Sequence, residues 1–183
     1  MSIATAGTYD LDVTHTEVGF TVRHLMSKVR GAFEKFEGTF VIAESLEDST
    51  VSVTVQMDSI NTGTPDRDGH LRSADLFEID KFPTMTFVST GIKQDGDTYV
   101  IAGDLTIKGV SKPVELTAEF LGEDADAYGN RRVGIEATTT INRKDFGVDY
   151  NIPLEGGKLL IGEKVSIEIF AQGILRVAAN AEA

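Results

Sequence analysis

The sequence predicts an all-β domain of eight antiparallel strands with one short helical insertion, and three observations carry that prediction. Apolar residues recur at every second position, the period of a strand with one buried face. Turn chemistry separates the alternating runs, and helical spacing is confined to the segment 66–80.

In chain order, Val18, Phe20 and Val22 alternate with Gly19, Thr21 and Arg23, and the run 35–42 turns Phe36, Phe40 and Ile42 the same way. Val51, Val53, Val55 and Met57 alternate with Ser52, Thr54 and Gln56. Stiff β-branched side chains of this kind suit a pleated surface. Runs at 85–89, 99–107, 114–121, 133–141 and 165–171 bring the count to eight. Gln94-Asp95-Gly96-Asp97 reads as a hairpin turn between the fourth and fifth runs. The six residues Lys108 through Pro113 read as the turn between the fifth and sixth. The segment 66–80, DRDGHLRSADLFEID, has no period of two, and Leu71, Ala74, Leu76 and Phe77 are spaced as on a short helix. A second insertion, 142–163, is Gly-rich and reads as an ordered loop near a barrel mouth, with room for a short helix. The C-terminal VAANAEA reads as a frayed tail. No repeat or linker divides the chain, so the expectation is a single domain over 1–183 with its core at about 9–171.

Composition narrows the function. With 17 basic and 29 acidic residues, the net charge of −12 opposes nucleic acid and anionic membrane surfaces. The absence of cysteine removes disulfides, thiolate metal sites and thiol nucleophiles. MSIATAGTYDLD has neither a basic n-region nor an apolar h-region, and no run reaches the ~18 apolar residues of a membrane span. A cytoplasmic location without a transmembrane segment is the expectation. HExxH, GxSxG, P-loop and dinucleotide patterns are absent, so the chain reads as a non-enzyme without a cofactor or metal. An enzyme using His15, His24 and His70 with nearby Asp12, Asp68 and Asp75 is the minor alternative.

Eight one-sided strands can form a sandwich or a closed barrel, and closure removes unpaired edges. A barrel of this size holds either packed side chains or one slender ligand. Val51, Val53, Val55, Ala137, Val165 and Ala171 are small inward candidates in a chain without tryptophan, which favours open volume. Strands of about ten residues, tilted by ~40°, would enclose a lumen ~25 Å tall. The opposing reading is that Phe20, Phe36, Phe40 and Phe87 fill the interior and leave an interaction or stress module without ligand.

Particular segments shift this balance. YDLDVTHTEVGFTVRHLMSKVRGAF, RDGHLRSADLFEIDKFPTMTF, IAGDLTIKGVSKPV, INRKDFGV and IGEKVSIEI resemble, in order and over nearly the whole chain, signatures of the YceI-like family. The resemblance implies an extended, lipocalin-like, eight-stranded antiparallel barrel that binds polyisoprenoids, including the tails of isoprenoid quinones, and is commonly dimeric. Many members carry an export signal, which this sequence does not display.

The expected lining is Val18, Phe20, Val22, Phe36, Phe40, Val53, Val55, Phe77, Phe82, Met85, Phe87, Leu105, Ile135 and Ile167. His24, Arg67 and His70 are the candidates for a polar end that meets a ligand head group. A structural reading stands beside each. His15 and His24 can bond loop backbone, and Arg67, Asp68, His70, Arg72 and Asp75 can knit the helix to the rim.

Overall fold

The computed structural model describes residues 3–177, so the expected frayed tail lies outside the described residues apart from Val177. The elements are β1 (Gly7–Leu11), β2 (Glu17–His24), β3 (Ser27–Phe33), β4 (Phe36–Ile42), β5 (Thr50–Gln56), β6 (Ile60–Asn61), α1 (Pro65–Arg72), β7 (Thr84–Asp95), β8 (Thr98–Ile107), β9 (Val110–Ala125), β10 (Arg131–Asn142) and β11 (Ile161–Leu175). All ladders are antiparallel. Eight of them close a ring in the order β1-β4-β5-β7-β8-β9-β10-β11, with β11 returning to β1 through Tyr9↔Leu175 and Leu11↔Gly173.

The remaining strands extend the barrel at one end. β11 is long enough to pair its last residues with β1 and its first with β2, from Phe170↔Glu17 to Ile161↔His24. β1 and β2 are thus two halves of one bent strand. The bend lies at residues 12–16, where the Asp12 carboxylate accepts a hydrogen bond from Thr14 N–H and starts a single 3-10 turn. β3 and β4 form a second bent strand, broken at Glu34 and Lys35. There the buried Ser59 hydroxyl accepts from both freed N–H groups, at 3.2 and 3.0 Å, and donates to Gln56 O at 2.7 Å. These breaks explain why 7–11 and 27–33 give only weak alternation: each is short, and Gly31 interrupts the inward series of Val29 and Phe33. A side chain at Gly31 would clash with the Phe20 ring, and one at Gly103 with the Phe87 ring, so both glycines make room for inward aromatics.

The helix is shorter than the sequence suggests. It ends at Arg72, and 73–80 is a set of turns in which Phe77 N–H bonds to Leu71 O and Glu78 adopts a left-handed φ of 48°. α1 lies against β6, which pairs with β3 and with no later strand. Two arginines serve in place of a neighbouring strand. Arg72 donates to Asp58 O and Ile60 O, each at 3.0 Å, and Arg67 Nη2 donates to Thr62 O at 2.9 Å. Backbone carbonyls at an uncovered edge otherwise need water or a foreign strand.

The expected six-residue connection at 108–113 is also corrected. Lys108 and Gly109 alone form the turn, both with positive φ (50° and 74°), and Ile107 pairs directly with Val110. Pro113 belongs to β9, at a position where β9 pairs only with β8, so its missing N–H costs no ladder bond to β10. The insertion 142–163 carries two single 3-10 turns, Arg143–Phe146 and Glu155–Gly157, and one bridge, Pro153↔Leu159. It forms a strap over the same barrel end as α1 and the β2–β3 turn. No described helix is long and apolar enough to cross a membrane.

Farther along the wall, an ion-pair network locks the β1–β2 bend to β10. Arg132 donates to Asp12 at 2.6 Å and to Asp126 at 2.8 Å, and His15 Nδ1 lies 2.7 Å from the same Asp12 oxygen. Arg132 holds the Asp12 carboxyl down to about 2. A depressed carboxyl stabilises the fold above its ordinary value near 4, and that contribution is lost as pH falls through about 2. Urea midpoints should therefore fall by the equivalent of about 1–2 kcal/mol between about pH 5 and pH 2, and Arg132→Met should flatten the change. An identical acid profile in the variant would remove Asp12 as its source.

Candidate functional site: the barrel lumen

Alternation turns one face of every barrel strand inward, and those faces do not fill the interior. Two principal cavities remain. The upper, about 130 Å³, lies beneath α1 and the strap and is walled by Val22, Phe20, Leu71, Phe77, Phe146 and Ile161 among others. The lower, about 110 Å³, lies in the closed barrel among Phe40, Val53, Phe87, Leu105, Ile135 and Ala137. Val18, Met85 and Ile167 belong to both walls, so the two are compartments of one lumen separated by a waist. A third space of about 50 Å³, lined by Ile3 and Leu46, continues toward the far end and shares Phe40 and Val51 with the lower cavity.

The chemistry of these walls is uniform. Thr16, Thr86 and Thr139 are the polar side chains of the lower wall, and no polar atom faces that cavity. The upper wall includes Arg143, whose guanidinium is turned away into backbone: Nε donates to Gly162 O at 2.9 Å, and Nη1 to Val148 O at 2.6 Å and Tyr150 O at 2.9 Å. A weaker contact joins Nη2 to Ile161 O at 3.4 Å. Burial lowers the Arg143 pKa, with Glu163 and Asp149 opposing that shift from a distance. Its role is to fold the strap over the lumen, while its aliphatic stem contributes to the wall.

The predicted residues separate by this geometry. Val18, Phe20, Val22, Phe40, Val53, Val55, Phe77, Met85, Phe87, Leu105, Ile135 and Ile167 line the lumen. So do the six small inward positions Val51, Val53, Val55, Ala137, Val165 and Ala171. Phe36 is in neither cavity wall. It faces the same side as Phe40 and Ile42, in register with Val55, and packs in a cluster with Phe33, Met57 and Ile60. Phe82 is also outside, against the Lys108–Gly109 turn where it occupies the space a Gly109 side chain would need. His24 ends β2 at the hairpin, beyond the last cavity residue of that strand.

The polar candidates of the central motif serve the helix. Arg67 Nε donates to Thr62 Oγ1 at 2.7 Å, in addition to its bond to Thr62 O, and the buried Asp68 accepts from Thr62 N–H at 2.9 Å. His70 contacts Asp75 at 3.0 Å and stands edge-on to the Tyr150 ring, 4.7 Å between centroids, which joins α1 to the strap. With both Arg67 contacts made to Thr62, Arg67→Ala should weaken a prenyl lipid and its headless hydrocarbon equally, by loosening α1. Titration of both ligands checks this; a loss confined to the head-bearing lipid would place Arg67 against the head group. The three histidines occupy separate settings, and no group of three or more His, Asp or Glu residues able to hold a metal ion occurs among the described residues.

Several wall residues escaped the sequence reading. Ile101, Leu116 and Ile169 were available by extending alternation along β8, β9 and β11. Leu71 and Leu76 show only a helical spacing, and Phe146 and Val148 carry no periodic signal, because these four reach the lumen from α1, the turns after it and the strap.

Known proteins share this fold. The chain is 42% identical over 149 residues to Protein YceI of Escherichia coli, covering 79% of this chain and 78% of that protein. A Photorhabdus laumondii relative matches to the same extent. Among solved structures, BcnA of Burkholderia cenocepacia superposes with a TM-score of 0.78 at 21% identity, over 88% of this chain and 98% of that one. The YCEI protein of Campylobacter jejuni gives 0.72 at 28%, over 85% and 90%. A polyisoprenoid binding domain from Saccharophagus degradans, implicated in plant cell wall breakdown, gives 0.67 at 16%, over 94% and 100%. The YceI-like domain model matches residues 9–172, and with that span and these relatives the chain belongs to the YceI-like family.

Proposed function

We propose that this protein binds a long isoprenoid chain in its lumen, as a carrier or store and not as an enzyme. The observation that carries the reading is the run of apolar compartments along the barrel axis, with no polar atom facing the lower one. The likeness to a polyisoprenoid binding domain supports the ligand class. Each methylene equivalent removed from water contributes ~0.8 kcal/mol, so one five-carbon isoprene unit contributes about 4 kcal/mol before ordering costs are subtracted. A flexible chain with a branch every few carbons can follow alternating chambers and waists.

A quinone is one head group that fits this reading, and it would remain at the α1 end, since the lower lumen offers no polar partner. Mass spectrometry of an organic extract of natively purified protein tests the proposal. The expected result is a co-purified prenyl lipid, or stoichiometric uptake of a labelled isoprenoid by delipidated protein. Neither lipid nor uptake would leave the lumen as unfilled packing and return the interaction module as the better reading.

A further inference from the structure

The β2–β3 hairpin and the strap present an apolar tip that the binding of a lipid inside the barrel does not use. Leu25 and Met26 form the two-residue turn between His24 and Ser27, and they are 51% and 98% exposed. Turns of this length favour Gly, Asn or Asp, because one or both residues take positive φ. Here Leu25 takes a φ of 54°, an uncommon conformation for a large side chain. The strap adds Ile152 and Leu159, 44% and 42% exposed. Backbone bonds connect these residues: Leu25 N–H bonds to Leu160 O at 2.9 Å, and Leu160 N–H to Ile152 O at 3.1 Å.

Charge is arranged around this tip against the character of the whole chain. On the outward face of the hairpin, Arg23 lies directly opposite Lys28, and Arg30 follows two residues along the same strand. All three are exposed, and none forms an ion pair among the described residues. Like charges facing across an antiparallel ladder destabilise it. Lys158 and Lys164, also exposed, add to this side, while the acidic residues of the same end are Asp66, Asp68, Asp75, Glu78 and Asp80 around α1 and Asp145, Asp149, Glu155 and Glu163 around the strap. In a chain of net charge −12, the hairpin from 21 to 32 carries three cations and no acid.

We propose that this tip docks on an anionic lipid bilayer, with Leu25, Met26, Ile152 and Leu159 entering the interface and Arg23, Lys28 and Arg30 meeting the head groups. The proposal rests on the lipid-binding reading for its purpose, since Val22 and Ile161, the last inward residues beside the tip, also wall the upper cavity. Docking there would set the end of the lumen that α1 and the strap cover against the bilayer, so that a prenyl chain released past them passes between the two without crossing water. Interfacial binding of this type combines buried apolar area with attraction of basic residues to anionic head groups.

The test is flotation of the protein with vesicles of phosphatidylcholine containing phosphatidylglycerol, beside vesicles of phosphatidylcholine alone. Binding to the anionic vesicles is expected, weakened several-fold by high salt. Each basic residue near such a surface is worth about a fivefold change in partition, so R23Q/K28Q/R30Q should lose about a hundredfold. Met26→Asp should also release the protein, whereas Val88→Asp, the same kind of change at an exposed site on β7, should not. Circular dichroism and the melting temperature identify any variant that fails to fold; in that case R23Q alone and Met26→Gln carry the test. Equal binding by all folded variants, or no binding to either vesicle, would overturn the proposal. Self-association that Met26→Asp abolishes, without vesicle binding, would overturn it in favour of a second copy of this chain. Isoprenoid uptake in detergent, measured separately, tells failure of docking from failure of the lumen reading.

Discussion

A Val53→Trp protein is expected to fold and to lose isoprenoid binding by at least ~100-fold. Val53 is half-buried on β5, paired with Gly38 on one side and Phe87 on the other, and its side chain faces the lower cavity. An indole there takes up much of a space of about 110 Å³. Four methylene equivalents of ligand excluded from that compartment correspond to about 3 kcal/mol, which is the hundredfold. The cost to the fold should be about 1–3 kcal/mol, because the added group enters open volume and must displace only its rim. Fluorescence titration with a labelled isoprenoid gives the affinity, and the melting temperature gives the stability. Undiminished uptake by the folded variant would show that the chain lies elsewhere, with the upper cavity as the remaining chamber.

Replacing Arg143 should have the largest effect on the fold. Arg143→Met keeps an apolar stem in the upper wall and deletes the donors to Gly162 O, Val148 O and Tyr150 O. Arg143 is 6% exposed, so those carbonyls lose partners in a place where water must force its way in. The expected destabilisation is about 3–5 kcal/mol, shown by the urea midpoint, with hydrogen exchange accelerated first between 148 and 162. Phe146 and Val148 wall the upper cavity and are held in the same segment, so isoprenoid affinity should fall with the strap. Arg143→Lys should recover little, since one ammonium cannot reach carbonyls arranged around a planar fork. A strap that stays protected in Arg143→Met would assign its order to the Asn151 side chain, which bonds both N–H and O of Ile161.

The strands were legible because their signal is local. Val51, Val53 and Val55 report their facing direction through a period of two that needs no knowledge of the neighbouring strand, and the same holds for Val18, Phe20 and Val22. Alternation also gave the right lumen-facing side for Ala137, Val165 and Ala171, whose small size leaves the space they border. It gave Phe36 the inward side as well, in register with Val55, but could not tell that this ring packs into a side-chain cluster instead of bordering a cavity. It was silent about Phe146, which reaches the lumen from a single turn.

The amino-acid sequence by itself determined that this protein is a run of one-sided strands with small inward residues, and its five ordered segments identified the family. Only the tertiary structure decided what the polar groups do. Arg67, Arg72 and Arg143 are alike in sequence, each a cation beside an irregular segment, yet all three are used to satisfy backbone carbonyls at 58, 60, 62, 148, 150 and 162. Burial direction follows from a short-range period, whereas a hydrogen-bond partner is fixed by which remote backbone groups the closed barrel leaves without a strand.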